Sequence, residues 1–133
     1  MRRYNRGFTL IEIMIVIAII GIVATIAAPL ITEYVKKGQR AEIAGLLSEQ
    51  AQVLERFYSK GNTYTGATGL SAGNDQYAIT ATLADQGFVL TAVRKADSRM
   101  AGDKCGDLTL TNTGVLGMSN AAEGVTSKEC WGR

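Results

Sequence analysis

One carboxylate stands within the long apolar stretch near the start of this chain. From Phe8 to Ile31 the only charged residue is Glu12, and the only other polar side chains are Thr9 and Thr25. A carboxylate in an apolar helix costs free energy, up to about 2.5–3.5 kcal/mol if it were at the centre of a bilayer. A simple membrane anchor gains nothing from such a residue. We therefore expect that the protein uses the carboxylate of Glu12.

Other residues offer little chemistry. The chain has no histidine, which excludes Ser-His-Asp and Cys-His nucleophile arrangements and histidine metal ligands. The Ser-Lys pairs at 59–60 and 127–128 are adjacent in sequence, and adjacent residues do not face each other on a helix. Asp97, Asp103 and Asp107 lack the spacing of a calcium-binding EF-hand, so we expect solvated loop carboxylates. No enzyme activity, cofactor or metal is therefore expected.

The apolar stretch is long enough to cross a membrane. A helix rises about 1.5 Å per residue, so residues 8–31 match a hydrocarbon core of roughly 30 Å. A plain transmembrane anchor, a secretory signal peptide cut near Ala27 or Ala28, and a buried core helix are the alternatives. The charges do not orient the helix, because three arginines precede it and Lys36, Lys37 and Arg40 follow it.

The helical pattern continues beyond the membrane-length stretch. Apolar residues recur at three- and four-residue spacing from Ile43 to Tyr58, so we predict one helix from Phe8 to about Ser59, ended by Gly61. Its first half is apolar on every side and its second half is amphipathic. The two halves therefore require two environments, lipid or a filament core for the first and a globular head for the second.

Alternating residues predict a small sheet after the helix. Residues 61–74 are rich in glycine and form a loop by composition. Alternation over 77–83, 88–92 and 108–111, with a turn leading into 115–116, predicts three or four antiparallel strands within about residues 76–116. This sheet should pack on the amphipathic half of the helix, which gives an α+β fold. Residues 117–129 are polar and are predicted to be irregular.

The two cysteines, Cys105 and Cys130, do not form a CxxC pair, so neither a redox motif nor a zinc site is supported. In an exported domain they indicate one structural disulfide, which would stabilise the fold by roughly 3–4 kcal/mol. Two free buried thiols in a cytosolic domain are the alternative, which the membrane-length segment disfavours.

The amino end resembles that of the type IV pilins and the related type II secretion pseudopilins. The matching residues are Gly7-Phe8-Thr9-Leu10-Ile11-Glu12, the apolar run that follows, and the helix-weakening residues Gly21 and Pro29. The resemblance implies the pilin fold: one long helix packed on an antiparallel sheet, with a carboxy-terminal disulfide loop at 105–130. It also implies that Gly21 and Pro29 give the helix flexibility during assembly.

The resemblance further implies how the chain is processed and assembled. Residues 1–7 would be a basic leader cut by a prepilin peptidase between Gly7 and Phe8, with N-methylation of Phe8. Residues 8–35 would first span the bacterial inner membrane and later form the filament core, and residues 36–133 would form a periplasmic, then extracellular, head. Glu12 would pair with the Phe8 ammonium of a neighbour. The implied partners are other pilins, the prepilin peptidase and the inner-membrane assembly machinery.

Weaker matches run through the rest of the chain, including Arg40-Ala41-Glu42, residues 105–110 and Cys130-Trp131. They are most similar to the PilE-like minor pilins of type IVa pili, and the head is short for a major pilin. Ile31 departs from the pattern, since many pilins have a tyrosine there. The resemblance thus implies a minor pilin that supports pilus assembly, adhesion and twitching motility. A type II secretion pseudopilin and a DNA-binding competence pilin are the alternatives.

Two groups of positively charged residues could contact a partner molecule. The formal net charge is +2, and without the three arginines of residues 1–7 the chain is nearly neutral, so no global field directs it to nucleic acid. A basic segment between strands is expected to be a solvated loop, with contact to DNA phosphates as the alternative; it comprises Arg94, Lys95, Arg99 and Lys104. The cations that follow the apolar stretch could contact lipid head groups or a neighbouring subunit; they are Lys36, Lys37 and Arg40.

Overall fold

The computed structural model describes residues 4–132, so Arg2 and Arg3 of the predicted leader lie outside the described residues. Six elements follow one another along the chain: helix α1 (Leu10–Gly61), strands β1 (Tyr77–Leu83), β2 (Phe88–Arg94), β3 (Asp107–Thr111) and β4 (Leu116–Ser119), and the short helix α2 (Ser127–Trp131). The α+β fold with one long helix and a four-stranded sheet is confirmed.

Helix α1 is continuous through Pro29, as a single element of 52 residues. It ends at Gly61, the predicted glycine. The next residue, Asn62, adopts a left-handed conformation with φ of 54° and donates its backbone N–H to the Tyr58 carbonyl at 2.7 Å. Asparagine tolerates this conformation better than most residues, so it serves as the helix stop.

The chain divides into two compact units, Met1–Val35 and Lys36–Arg133. In the first unit the apolar side chains of α1 are exposed on every side of the helix. An 18-residue window there has a mean hydropathy of 2.8 and none of it is buried. By length and composition this part of α1 can cross a membrane, and its exposure means that nothing within its own unit covers it.

The second unit contains the sheet, in which all four strands are antiparallel and follow chain order, β1-β2-β3-β4. The register places Ala81 opposite Leu90 and Leu90 opposite Leu110, so apolar residues align on one face. This is the face predicted from the alternation in the sequence. The other face carries mainly threonine, valine and alanine.

One hydrophobic core joins the sheet to the second half of α1. The helix contributes Ile43, Leu47 and Leu54, each with no exposed surface, and the sheet contributes residues from β1, β2 and β3. Burying each such side chain stabilises the fold by about 1.5–3 kcal/mol before conformational entropy is considered. The core therefore fixes the amphipathic half of α1 as part of the head.

The end of the chain is more ordered than predicted. Residues 117–119 belong to β4, and residues 127–131 form α2. The prediction of an irregular segment over 117–129 was therefore wrong at both ends, whereas residues 120–126 between the two elements are irregular as predicted. Two side chains of α2 explain the order, since Ser127 Oγ donates to the Leu116 carbonyl at 2.9 Å and Trp131 Nε1 to the Gly117 carbonyl at 3.0 Å. These tertiary bonds attach α2 to β4, and periodicity cannot reveal them.

Candidate functional site

The amino end of α1 holds Glu12 in a reciprocal cap with Thr9. The Thr9 backbone N–H lies 3.5 Å from Glu12 Oε2, and the Glu12 backbone N–H lies 3.3 Å from Thr9 Oγ1. Ser or Thr followed three residues later by Glu is a capping box, which satisfies two donors that a helix start leaves unpaired. The carboxylate therefore has a local role within its own helix. The Thr-x-x-Glu spacing before an apolar run was the sequence signal for this role.

Gly7 and Phe8 precede this cap in a non-helical segment. The Phe8 side chain is 82% exposed, and a Cβ added at Gly7 would meet no atom within 4 Å. The Gly7–Phe8 bond therefore lies in an accessible, non-helical stretch next to the helix start. Gly7, Phe8 and Glu12 thus lie side by side at the start of α1. Their roles in processing and assembly stay predictions.

Gly21 and Pro29 both lie within the unbroken helix. Proline has no backbone N–H, so the Thr25 carbonyl loses the donor that normally comes from four residues later. Gly21 has open space around its Cα, so the fold of this chain gives no packing reason for a glycine there. The flexibility assigned to both residues stays a prediction.

Within the head, Arg40 and Asp103 form a buried ion pair. Arg40 Nε donates to Asp103 Oδ2 at 2.8 Å and a second guanidinium nitrogen donates to Oδ1 at 2.5 Å, with the residues 3% and 2% exposed. The pair joins α1 to the loop before β3 in a two-point geometry. The expectation of a solvated Asp103 was wrong, because the loop folds back onto the helix.

Arg94 and Asp107 form a second ion pair. Arg94 Nε lies 3.2 Å from Asp107 Oδ1, and Arg94 also donates to the carbonyls of Ala101 and Asp103. Asp107 is 7% exposed, so the expectation of a solvated carboxylate was wrong here too. Burial by itself would raise the pKa of Asp107, but hydrogen bonds from the Arg94 N–H, the Asn120 amide and the Arg94 guanidinium together hold that pKa below its ordinary value.

Two of the four cations of the basic segment are engaged by bonds within the head. Arg94 is engaged by the loop that it holds, and Lys104 forms an ion pair with Glu129 in α2. Hydrogen bonding and the charge of Lys104 lower the pKa of Glu129. Arg99 is exposed and Lys95 is half-buried. Lys95 and Arg99 are therefore the residues of the segment best placed to meet a partner.

The two cysteines are joined in the predicted disulfide. The Cys105 and Cys130 sulfurs are bonded, with a Cα–Cα distance of 5.7 Å and 25 residues of separation, and both residues are buried. The disulfide attaches α2 to the residues that lead into β3. It lies two residues from Asp103, so the disulfide and the Arg40–Asp103 pair act on the same short segment.

Near these ion pairs, the Tyr77 hydroxyl is fully buried and finds no hydrogen-bond partner among the described residues. Burial, together with the nearby charge of Asp103, raises the pKa of Tyr77 to about 12. The phenol therefore stays neutral over the physiological range of pH.

Two family models match the chain. The first, "Prokaryotic N-terminal methylation motif", matches residues 2–28, which contain Gly7, Phe8 and Glu12. The second, "Type IV minor pilin ComP, DNA uptake sequence receptor", matches residues 29–109, from Pro29 through β3. Together the two models cover α1 and most of the sheet.

Curated relatives include several fimbrial proteins. The fimbrial protein EcpC of Eikenella corrodens is 34% identical over 98% of this chain and 84% of that protein. A fimbrial protein of Dichelobacter nodosus is 33% identical over 100% of this chain and 79% of that protein. The type IV major pilin protein PilE of Neisseria gonorrhoeae is 36% identical over 58% of this chain, and this match spans 50% of PilE.

Solved structures show the same fold. A type IV pilin from Shewanella oneidensis, 32% identical, superimposes with a TM-score of 0.53 over 61% of this chain and 89% of that one. The non-core minor pilin PilV of Neisseria meningitidis superimposes with a TM-score of 0.59 over 71% of this chain and 94% of that one; at 21% identity it speaks for the fold alone. The exposed apolar helix with a capped glutamate, the four-stranded sheet and the carboxy-terminal disulfide, together with these matches, show that this chain belongs to the type IV pilin family.

Proposed function

We propose that this pilin is a minor subunit of a type IV pilus, processed between Gly7 and Phe8 and assembled through α1. The observation that best supports this proposal is the exposed apolar part of α1. Its first turn holds the carboxylate of Glu12, close to the proposed cleavage bond between Gly7 and Phe8. Such a surface must be covered by lipid or by neighbouring helices, because exposing it to water is unfavourable. Type IV pilins are structural subunits, and no enzymatic step is proposed for this chain.

The proposed assembly step depends on charge. Cleavage after Gly7 creates an ammonium group on Phe8, which is then N-methylated and stays positive. In an apolar environment the Glu12 carboxylate of a neighbour gains by pairing with that ammonium, since an unpaired charge there is costly. A head-to-tail contact that does not close on itself builds an open helical polymer. In this scheme residues 8–35 are first anchored in the inner membrane, with the head from residue 36 in the periplasm.

Mass spectrometry of filaments sheared from the cell surface tests this proposal. We expect a peptide that begins with N-methylated Phe8, in trace amount relative to the dominant subunit. A dominant amount would make this chain the major fibre protein. A processed form found in membranes and absent from filaments would favour the pseudopilin alternative, and an uncleaved Gly7–Phe8 bond would contradict the processing step.

A role as a DNA receptor is the second candidate, and one observation favours it. The family model that matches residues 29–109 is described as a DNA uptake sequence receptor. The structure narrows the basic residues available for such a role, because Arg94 is held by Asp107 and by two loop carbonyls. The exposed Arg99 and the half-buried Lys95 remain as cations that could contact phosphate groups.

Salt-dependent binding of duplex DNA to the head fragment from Lys36 onward tests this second candidate. Neutralising Lys95 and Arg99 to glutamine should weaken binding and reduce the slope of log affinity against log salt by roughly two. The matched control is Arg56→Gln with Lys60→Gln, which removes the same charge from the carboxy-terminal end of α1. An equal loss of DNA affinity in the two double variants would rule out a DNA-binding role for Lys95 and Arg99. No binding by the unmodified head would rule out the DNA receptor altogether.

A further inference from the structure

A groove lies between the end of α1 and the glycine-rich loop that follows the helix. On the helix it is lined by Val53, Arg56, Phe57 and Lys60, which recur at three- and four-residue spacing and therefore share one side of α1. Thr68 from the loop completes the groove, whose volume is about 280 Å³. These residues all belong to the compact unit that begins at Lys36, so the groove is a feature of the head alone.

The groove combines an apolar floor with a positive rim. Val53 and Phe57 are half-buried, whereas Arg56, Lys60 and Thr68 are exposed. Aromatic side chains and arginine are the residues in which protein interfaces are enriched, and here a partly exposed phenylalanine stands beside an arginine. The groove thus offers a partner apolar contact and positive charge at the same place.

The two cations of the rim lack an ion-pair partner among the described residues. Arg56 and Lys60 stand four residues apart on α1, where two like charges repel each other. The nearest acids along the helix do not relieve this repulsion. Glu49 lies about two turns before Arg56, and Glu55 accepts the Tyr64 hydroxyl at 2.9 Å. The rim therefore keeps its positive charge for a partner.

The chemistry of the groove defines the kind of partner that fits it. The rim attracts an anion, and the floor favours an apolar group next to that anion. A carboxylate side chain beside an apolar side chain supplies both, whereas the phosphate backbone of DNA supplies only the charge. Most small-molecule pockets have a volume of roughly 300–1,000 Å³. The groove lies below that range, so it suits protruding side chains better than a whole small molecule.

We propose that this groove binds an acidic segment on the head of a neighbouring pilin. In this contact a carboxylate lies between Arg56 and Lys60, and an apolar side chain of the neighbour packs on Val53 and Phe57. The proposal rests on the proposed function, since neighbouring heads surround the subunit in a filament. It adds a contact between heads to the assembly through α1. The positive pair selects a neighbour that carries an acid and rejects one that carries a lysine or arginine there.

Photo-crosslinking in assembled filaments tests the contact. The full chain carries a photoreactive benzoylphenylalanine in place of Thr68, and sheared filaments are illuminated and analysed by mass spectrometry. We expect a crosslink to a peptide of another pilin that contains Asp or Glu beside an apolar residue. Arg56→Glu with Lys60→Glu should reduce the crosslink yield per incorporated subunit roughly tenfold or more, because like charges then meet. Arg56→Lys, which keeps the charge, should retain most of the yield.

The matched control is Lys95→Glu with Arg99→Glu, which reverses two charges between β2 and β3 and should leave the crosslink yield unchanged. Equal losses of yield in the two double variants would overturn the proposal, and so would a crosslinked peptide without an acid. A crosslink to DNA in place of a pilin would assign the groove to phosphate groups and would also overturn it. A processed subunit that is absent from filaments contradicts the proposed function and the contact with it, whereas an incorporated subunit without a crosslink contradicts only the contact.

Discussion

Glu12 makes a local interaction and is proposed to make an intermolecular one, and the two can be separated by substitution. The cap uses the ability of the side chain to accept a hydrogen bond from the Thr9 N–H. The proposed pairing with a neighbouring ammonium uses its negative charge. Glutamine serves in a capping box as glutamate does, but it carries no charge.

We therefore predict that Glu12→Gln prevents incorporation into filaments about as strongly as Glu12→Ala, while the head folds normally. Thr9→Ala should cost about 1 kcal/mol at the helix start and still allow incorporation. Quantification of each variant in sheared filaments, with circular dichroism of the head, measures both effects. If Glu12→Gln assembles normally and Thr9→Ala does not, the cap is essential and the pairing idea fails.

The buried Arg40–Asp103 pair should be sensitive to the loss of one partner. Asp103→Leu leaves a buried guanidinium without its carboxylate, so we predict a loss of about 3–5 kcal/mol in the free energy of unfolding. The double variant Arg40→Met with Asp103→Leu should recover a large part of that loss. Urea unfolding of the head fragment measures the free energies of unfolding for this double-mutant cycle. Additive effects of the two substitutions on that free energy would show that the residues are not coupled.

Asp107 should make the stability of the head depend on pH in the acid range. Its folded-state pKa is held below the ordinary value of 3.8, so its stabilising effect is present above that pH and is lost as the pH falls through the lower folded value. Asp107→Asn should destabilise the head at neutral pH by about 1–3 kcal/mol. The difference in the free energy of unfolding between the unmodified head and Asp107→Asn should become smaller below the ordinary pKa of Asp107. A constant difference between pH 7 and pH 3 would contradict the shift.

At the scale of the elements, α2 depends on tertiary attachments, which include the Lys104–Glu129 ion pair as well as a disulfide and two hydrogen bonds. The Cys105–Cys130 disulfide, the Trp131–Gly117 hydrogen bond and the Ser127–Leu116 hydrogen bond hold a helix of only five residues, which is too short to be stable alone. The two hydrogen bonds attach α2 to β4. Order in α2 is thus a consequence of its contacts with the sheet.

Replacing both cysteines by serine should lower the free energy of unfolding by about 3–4 kcal/mol, as expected for a loop of 25 residues. Hydrogen exchange should show α2 losing protection before β2 and β3 do, because these strands keep their neighbours on both sides. The comparison protein is the unmodified head with its disulfide intact. Equal loss of protection in all elements would mean that α2 is not a separate unit of local opening.

At the scale of the whole molecule, the two units differ in what stabilises them. The unit from Lys36 onward has its own core and disulfide, while the apolar unit before it has no buried core residue among the described residues. We predict that removing residues 1–35 leaves the thermal midpoint of the head within a few degrees of that of the full chain in detergent. The fragment should also stay monomeric by light scattering. A large fall in the midpoint would show that the apolar unit contributes to the stability of the head.

Much of this architecture could be predicted from periodicity. The apolar run, the amphipathic continuation of α1 and the alternation in β1, β2 and β3 follow from local rules, since a helix repeats every 3.6 residues and a strand every two. The disulfide followed from two cysteines in a domain expected to be exported. The match at Gly7, Phe8 and Glu12 gave the resemblance to the pilins, which the comparisons confirm for the family.

The sequence alone thus determined the long helix, strands β1 to β3, the family and the candidate processing site, because these depend on neighbours along the chain; α2 and most of β4 were missed. The tertiary structure decided which charges are internal. Asp103 and Asp107 read as solvated loop residues, yet they bind Arg40 and Arg94 over separations of 63 and 13 residues. Contacts of that kind leave no periodic trace in the sequence. For the same reason only the folded chain shows that Arg94 and Arg40 are engaged within the head, whereas Arg99 is exposed and Lys95 half-buried.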